Sequence, residues 1–185
     1  MSGTERLGPD DWTRAALEAI AGRGTAGVSV ERLAKELGAT KGSFYWHFKD
    51  RPALIAAALD HWEHRYTDAV IERLADVADP RERFRQLLLS SFLDQPGVVI
   101  DANLLAAADD PVVGRVLERV AGKRLAFVEQ IFRDLDVPEA GHRAVLAFTA
   151  YVGLAQLRRT SPSLMPTGDR AAAYVDETVA LLLGS

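Results

Sequence analysis

Lys41, Ser43, Tyr45, Trp46, His47 and Arg51 crowd into the segment K-G-S-F-Y-W-H-F-K-D-R. Cations, hydroxyls and flat aromatics at this density suit binding: they hold phosphate oxygens, hydrogen-bond base edges and pack on them. No nucleophile, base and orienting group stand together here or elsewhere in the chain, so no catalytic residue is assigned and an enzyme is not expected. Phe44 and Phe48 lie one helical turn apart and can face a core. On a wheel of about 100° per residue, Gly42, Ser43 and Trp46 point the other way. A soluble domain has little reason to show water a large aromatic beside a glycine and a hydroxyl. Lys41 and Arg51 each fall in the first turn of a helix, where the dipole disfavours a cation by roughly 0.3–1 kcal/mol. A bound phosphate removes that penalty.

The flanking residues set the elements that must position this segment. Asp10-Asp11 opens a helix with Trp12, Ala15, Ala16, Ala19 and Ile20 on one stripe, and Gly22 and Gly24 close it. Ser29 caps a second helix carrying Val30, Leu33, Ala34 and Leu37, with Glu31 in its first turn. Gly38 supplies a left-handed stop, Thr40 caps the third helix and Asp50 the fourth. Helix, tight glycine turn, and second helix with polar and aromatic groups outward form a helix-turn-helix, with Lys41 to Phe48 as its recognition helix. The alternative is an ordinary three-helix core with an aromatic third helix.

Val28-Ser29-Val30 through Leu54, above all F-Y-W-H-F-K-D-R-P-A-L, resembles the TetR family of bacterial transcriptional repressors. The resemblance is close over about the first fifty-five residues. Its core, aromatic-Tyr-x-His-Phe-Lys followed by Asp-x-x-x-Leu, is hard to meet by chance. Beyond it only helix number, helix lengths and chain size are similar. The resemblance implies that Lys41, Gly42, Ser43, Tyr45 and Trp46 line the major groove of an operator, and that Thr40, Tyr45, His47 and Arg51 hold phosphates. Ser29 and Glu31, at the start of the preceding helix, are counted with the same surface. Glu31 departs from members that carry a basic or hydroxyl residue near the groove. A carboxylate there repels phosphate but can accept from cytosine N4.

Composition agrees with a cytoplasmic protein without a membrane partner. The 185 residues contain no Cys, which excludes disulfides and thiolate metal sites. Neither a signal-like start nor an apolar run of membrane-spanning length is visible. The net charge is −4, which argues against general coating of nucleic acid. It is uneven: residues 1–51 carry eight basic against seven acidic side chains, and residues 52–185 fourteen against nineteen. An acidic body with a small basic tip suits site-specific binding.

The remainder reads as helix, which with the resemblance implies an all-α, nine-helix TetR-like architecture: a DNA-binding head over residues 1–51 and a ligand-binding and dimerisation body over 52–185. A long helix runs from Pro52 towards Val77 with Leu54, Ala58, Trp62, Tyr66 and Ala69 or Val70 as its stripe, roughly 40 Å at 1.5 Å per residue. Asp79-Pro80 opens a helix to Asp94, and Gln95-Pro96-Gly97 breaks it before a short helix from Val98 to Ala108. Asp110-Pro111 opens another long one, Pro138 starts the next, and the last spans Asp169 to Leu183. Ala144 to Leu157 is apolar nearly all round, as is much of the last helix, so both are expected in a twofold interface of a homodimer through Phe148, Tyr151, Gly153, Leu154, Val175, Val179 and Leu182. A central helix of a monomer is the alternative. Between the long helix and the next four, a cavity lined by some of Trp62, Phe84, Leu88, Phe92, Asn103, Leu117, Phe148 and Tyr151 is expected to hold a small lipophilic or aromatic effector. A filled core is the alternative there.

These expectations describe a repressor released from a palindromic DNA operator by a small molecule. The competing reading is a helical dimeric ligand-binding or interaction protein that binds no specific DNA. No cofactor or metal is expected. G-R-G-T-A-G at residues 22–27 matches a dinucleotide fingerprint, but a helix rather than a strand precedes it. His61 and His64 with Asp60, Glu63 and Asp68 have ligand-like spacing, yet read as a solvated charged face.

Overall fold

The computed structural model describes residues 7–93 and 95–184, without the side chains of 92, 93, 95 and 96. The helices are α1 (Pro9–Arg23), α2 (Val30–Glu36), α3 (Lys41–His47), α4 (Arg51–Glu63), α5 (Ala69–Ala75), α6 (Pro80–Leu93), α7 (Gln95–Leu105), α8 (Pro111–Asp134), α9 (Ala140–Thr160) and α10 (Asp169–Leu183). A π-turn, His64–Asp68, joins α4 to α5 without a break, so among the described residues there are nine helical rods and no strand.

Local side-chain chemistry starts most of these helices where it was expected. Ser29, Thr40 and Asp50 accept the N–H groups of Arg32, Ser43 and Ala53, and Asp79 and Asp110 those of Arg81 and Val112. Gly38, at φ +64°, makes the left-handed turn between α2 and α3. Three starts differ from the sequence expectation, and α7 and α5 end at Leu105 and Ala75 rather than at Ala108 and Val77. α1 begins at Pro9, not at Asp10-Asp11: Asp11 is its third residue and accepts from the Gly8 N–H at 2.9 Å, so the acid caps from inside the helix. α7 begins at Gln95, with Pro96 in a first turn whose N–H needs no helical partner. α9 begins at Ala140 because Glu139 is left-handed, at φ +55°.

Trp12, Ala16 and Ile20 of α1 pack with Leu33 of α2 and Phe44 of α3 in the head core. That core does not end at residue 51. It continues through Leu54, Ala58 and Trp62 of α4 into Ile100 and Leu104 of α7 and Val113 to Val120 of α8. Asn103 donates to the Ala21 carbonyl at 2.5 Å, tying α7 to the end of α1. A second core joins Phe84 of α6, Val128, Ile131 and Phe132 of α8, Ala144 and Ala147 of α9, and Val175 and Val179 of α10. Phe84 and Phe132 meet edge to face at 4.9 Å.

Glu63 corrects the expectation of a solvated acidic face on α4. It is 5% exposed and accepts from Arg119 Nε at 2.9 and 3.0 Å and from Lys123 Nζ at 2.8 Å. Asp60 and Asp68 bind the same two cations, so the acids of this stretch clamp α4 to α8. His61 and His64 stay exposed. The Arg119 hydrogen bonds lead the causes that hold the Glu63 carboxyl below its ordinary range, against the opposing effect of burial. A depressed folded value means that its stabilisation is present above the usual glutamate value of about 4.3 and is lost as pH falls through the folded one. Glu63→Gln is therefore expected to lower the urea midpoint at pH 7 while flattening its decline between about pH 5 and 3. Parallel profiles for variant and wild type would show that Glu63 carries none of the acid sensitivity.

Candidate nucleic-acid interface and effector cavity

The aromatic at the centre of α3 decides how that helix is presented. Phe44 is fully buried, edge-on to Trp12 at 5.4 Å and stacked with Phe48 at 5.8 Å. Anchoring one face through Phe44 turns the opposite face outward, and it is here that Trp46 is 88% and Tyr45 62% exposed. Lys41 and Gly42 are exposed on the same short helix, with Ser43 half-buried. The Thr40 hydroxyl accepts from the Ser43 N–H at 3.2 Å, which leaves its own O–H free to donate.

Glu31 joins this surface through Lys41. Its Oε1 lies 2.5 Å from Lys41 Nζ, and its Oε2 accepts from the Ser29 hydroxyl at 3.2 Å. The hydrogen bond from the Lys41 ammonium is the main cause that holds the Glu31 carboxyl below its ordinary range. The unusual acid thus tethers the leading cation of α3. Both side chains remain more than half exposed, so the pair is easily exchanged for a stronger anion.

Arg51 and His47 have structural duties that sequence reasoning missed. Arg51 donates through Nε to the Val28 carbonyl and through Nη2 to that of Thr25, both at 2.7 Å, holding the loop before α2. His47 Nε2 lies 3.1 Å from the Leu7 carbonyl at the entry to α1. Both side chains are exposed. Backbone carbonyls forty and more than twenty residues away leave no local sequence signal for such bonds.

A cavity of about 790 Å³ opens between the π-turn, α5, α6, the start of α7, α8 and α9. Phe84, Leu88, Phe148 and Tyr151 line it as expected, and the side chain of Phe92 lies outside the described residues. Trp62, Asn103 and Leu117 do not line it. Trp62 and Leu117 face the head core, and Asn103 faces α1. All three point inward, but into the neighbouring core.

One wall of the cavity is a buried polar knot that was not anticipated. Asp101 accepts from Trp62 Nε1 at 2.9 Å and from the Tyr151 hydroxyl and Arg124 Nη1 at 2.5 Å each. Arg124 also donates to Thr67 Oγ1 at 3.0 Å and to the Tyr66 carbonyl at 3.3 Å, both in the π-turn. Its guanidinium lies over the Trp62 and Tyr151 rings at 5.4 and 5.6 Å. Burial first, and then the adjacent Asp101 carboxylate, push the Tyr151 hydroxyl well above the ordinary phenol range, so it remains a donor. The missed signal was a charge on an apolar stripe: Arg124 sits four residues from both Val120 and Val128.

The expected interface residues divide. Val175 and Val179 are buried in the chain's own second core, Leu182 and Leu154 pack against it, and Phe148 and Tyr151 line the cavity. These six side chains are used within one chain, and Gly153 alone of the set lies exposed. The outward apolar face of α9 is instead Val145, Leu146, Ala150 and Leu157, with Leu146 60% exposed. On α10 it includes Tyr174 and Leu181, the latter 76% exposed. A helix apolar on every side gives no sign in the sequence of which face packs within the chain and which stands exposed.

Among the described residues no cluster of three His, Asp or Glu side chains is placed to hold a metal, and no helix is long and apolar enough to cross a membrane. An outward-turned second helix on a compact helical head, joined to a body that encloses a cavity, defines an all-α helix-turn-helix protein. Residues 13–58 match the family described as bacterial regulatory proteins, tetR family. The match spans 46 of the 185 residues, from α1 into the middle of α4. Over 90 residues it is 36% identical to the HTH-type transcriptional regulator TtgR of Pseudomonas putida, covering 48% of this chain and 41% of TtgR. The HTH-type transcriptional regulator SrpR of Pseudomonas putida is 27% identical over 100 residues, covering 46% of this chain and 47% of its own. The chain thus matches about half the length of these curated relatives or less. A transcriptional regulator from Rhodococcus sp. Rha1 superposes with a TM-score of 0.78 at 22% identity over 96% of this chain and 97% of its own. AibR, solved with isovaleryl coenzyme A and operator DNA, gives 0.71 at 20% over 97% and 98%. At such identities the likeness is one of fold.

Proposed function

We propose that this chain is a cytoplasmic transcriptional repressor, a homodimer that binds a palindromic operator through residues 1–51 and releases it when the 52–185 body takes up a small molecule. The carrying observation is the outward face of α3. Lys41, Gly42, Tyr45 and Trp46 stand exposed on a helix whose opposite face is locked into the core by Phe44. Such a face suits the major groove, where a lysine reads guanine O6 or N7 and an aromatic packs on a thymine methyl. The twofold axis is assigned to the exposed stripes of α9 and α10, which would form a four-helix interface. Support for the effector comes from the cavity and from the fold relatives, AibR with isovaleryl coenzyme A and FadR of Bacillus subtilis with stearoyl-CoA.

Selection from random duplexes tests the reading. One palindromic sequence is expected to be enriched, and Lys41→Ala to relax preference at one base pair per half-site, a loss of about 1–3 kcal/mol of discrimination. Arg51→Ala is expected to weaken all duplexes alike and to lower the melting temperature, since two loop carbonyls lose their donor. If no sequence is enriched, the head does not read DNA, and the chain is a ligand-binding protein on this scaffold.

A further inference from the structure

The cavity is not electrically neutral. Of the described residues that line it, three carry charge, Arg65, Arg73 and Arg124, and none is acidic. This inventory belongs to a chain with 26 acidic against 22 basic residues. Arg124 is already neutralised by Asp101 and bonded through all three of its nitrogens. Arg65 and Arg73 differ. Both are exposed at the opening, and neither has a carboxylate partner among the described residues. Arg65 lies over the ring of Tyr66, which also lines the cavity, at 5.6 Å, so its guanidinium is held on the opening rather than trailing into solvent. Inside, Leu74, Phe84, Leu87, Val128 and Phe148 supply apolar wall, while the polar groups of Thr67, Arg124 and Tyr151 are spent in the Asp101 knot and the Ser90 and Ser91 hydroxyls on the Leu87 carbonyl.

We infer that the effector is an amphiphilic anion, with an acid group held by Arg65 and Arg73 at the rim and an apolar chain or ring filling the interior. The inference rests on the reading of this cavity as an effector site. A neutral lipophile closing the opening strips water from two guanidinium groups and returns nothing to them. An acid replaces that water with charge-assisted, fork-like hydrogen bonds. The two arginines stand eight residues apart along the π-turn and α5, roughly 12 Å at 1.5 Å per residue, so the rim offers an elongated anion two points of attachment. A volume of about 790 Å³ lies in the range of small-molecule sites. The same chemistry comes from two sources, a free carboxylate or an acyl group carried as a thioester on a polyanionic nucleotide.

The test is calorimetric titration of the whole chain with decanoate, decan-1-ol and decanoyl coenzyme A, all below their micellar concentrations. At least one anion is expected to bind roughly tenfold or more tightly than the alcohol, the equivalent of one or two charged hydrogen bonds. Raising salt should shrink that preference, and Arg65→Gln with Arg73→Gln should abolish it while the melting temperature stays near that of wild type. Which anion binds tighter tells the free acid from the thioester. The alcohol binding as tightly as both anions, neither anion binding, or an unchanged preference in the double variant would overturn the inference. Operator titration in the presence of the bound anion separates the two ideas. Binding without any change in operator affinity removes the inducing role but leaves the anion site standing.

Discussion

Gly153→Arg is expected to turn the protein into a monomer without unfolding it. Within one chain nothing lies within 4 Å of where a Cβ at Gly153 would stand, and the position faces out from α9. An arginine there has room in the isolated chain, and in mid-helix it gains roughly 0.5–1 kcal/mol of helix propensity over glycine. Across the proposed twofold axis the same side chain meets its own symmetry mate. Burying an unpaired charge costs roughly 3–5 kcal/mol, so dimer dissociation should rise about a hundredfold or more. Leu146→Asp, a turn or two away on the same face, should act alike. Light scattering and operator titration read the outcome together: molecular mass halves, and affinity falls towards that of one half-site. A variant that stays dimeric with unchanged affinity moves the interface away from this face. A wild-type monomer at micromolar concentration removes the dimer altogether.

The second large effect is expected at Asp101. It is 4% exposed and neutralises Arg124 while accepting from Trp62 and Tyr151. Asp101→Ala strands a guanidinium between two aromatic rings and removes the acceptor from two further donors. Breaking a buried pair on one side costs about 3–5 kcal/mol, a large part of a domain's total stability. Removing both charges together is a different experiment, because well-packed apolar replacements of similar volume are often neutral or stabilising. Asp101→Leu with Arg124→Met is therefore expected to recover much of the urea midpoint that Asp101→Ala loses. If the single variant unfolds at the wild-type midpoint, the knot holds nothing. If the double variant is no better than the single, the cost lies in the Trp62 and Tyr151 hydrogen bonds instead.

What was legible beforehand was chemistry acting over a few residues. Ser29, Thr40, Asp50 and Asp110 cap because a short side chain reaches an N–H two or three positions on, and Phe44 anchors because aromatic spacing reveals a helix face. The exposed surface of α3 follows by exclusion from that same wheel. Assignments that needed a partner from afar went unread or astray. A wheel shows that Trp62 and Val175 point inward, but not that Trp62 serves the head core rather than the cavity, or that Val175 serves its own chain rather than a second copy. Glu63 and Arg124 were passed over because charge was equated with solvent. Each lies on an otherwise buried stripe, and its compensating charge sits on a helix some twenty to sixty residues away.

The π-turn bears on how this chain can be compared with others of different length. Before it, the rod packs its head through Leu54, Ala58 and Trp62; after it, Val70 and Leu74 face the cavity. Counting 3.6 residues per turn onward from Trp62 arrives near positions 66, 69 and 73, about one short of Thr67, Val70 and Leu74. The wider turn at His64–Asp68 absorbs the extra residue. Removing one residue from it would restore ordinary helix and keep the two halves of the rod in phase, whereas removing one from the α-helix on either side would turn one half by about 100° against the other. Alignments usually forbid gaps inside helices. In this rod a one-residue gap is physically legitimate at the π-turn, and shifting it by a turn in either direction would exchange head-facing for cavity-facing positions.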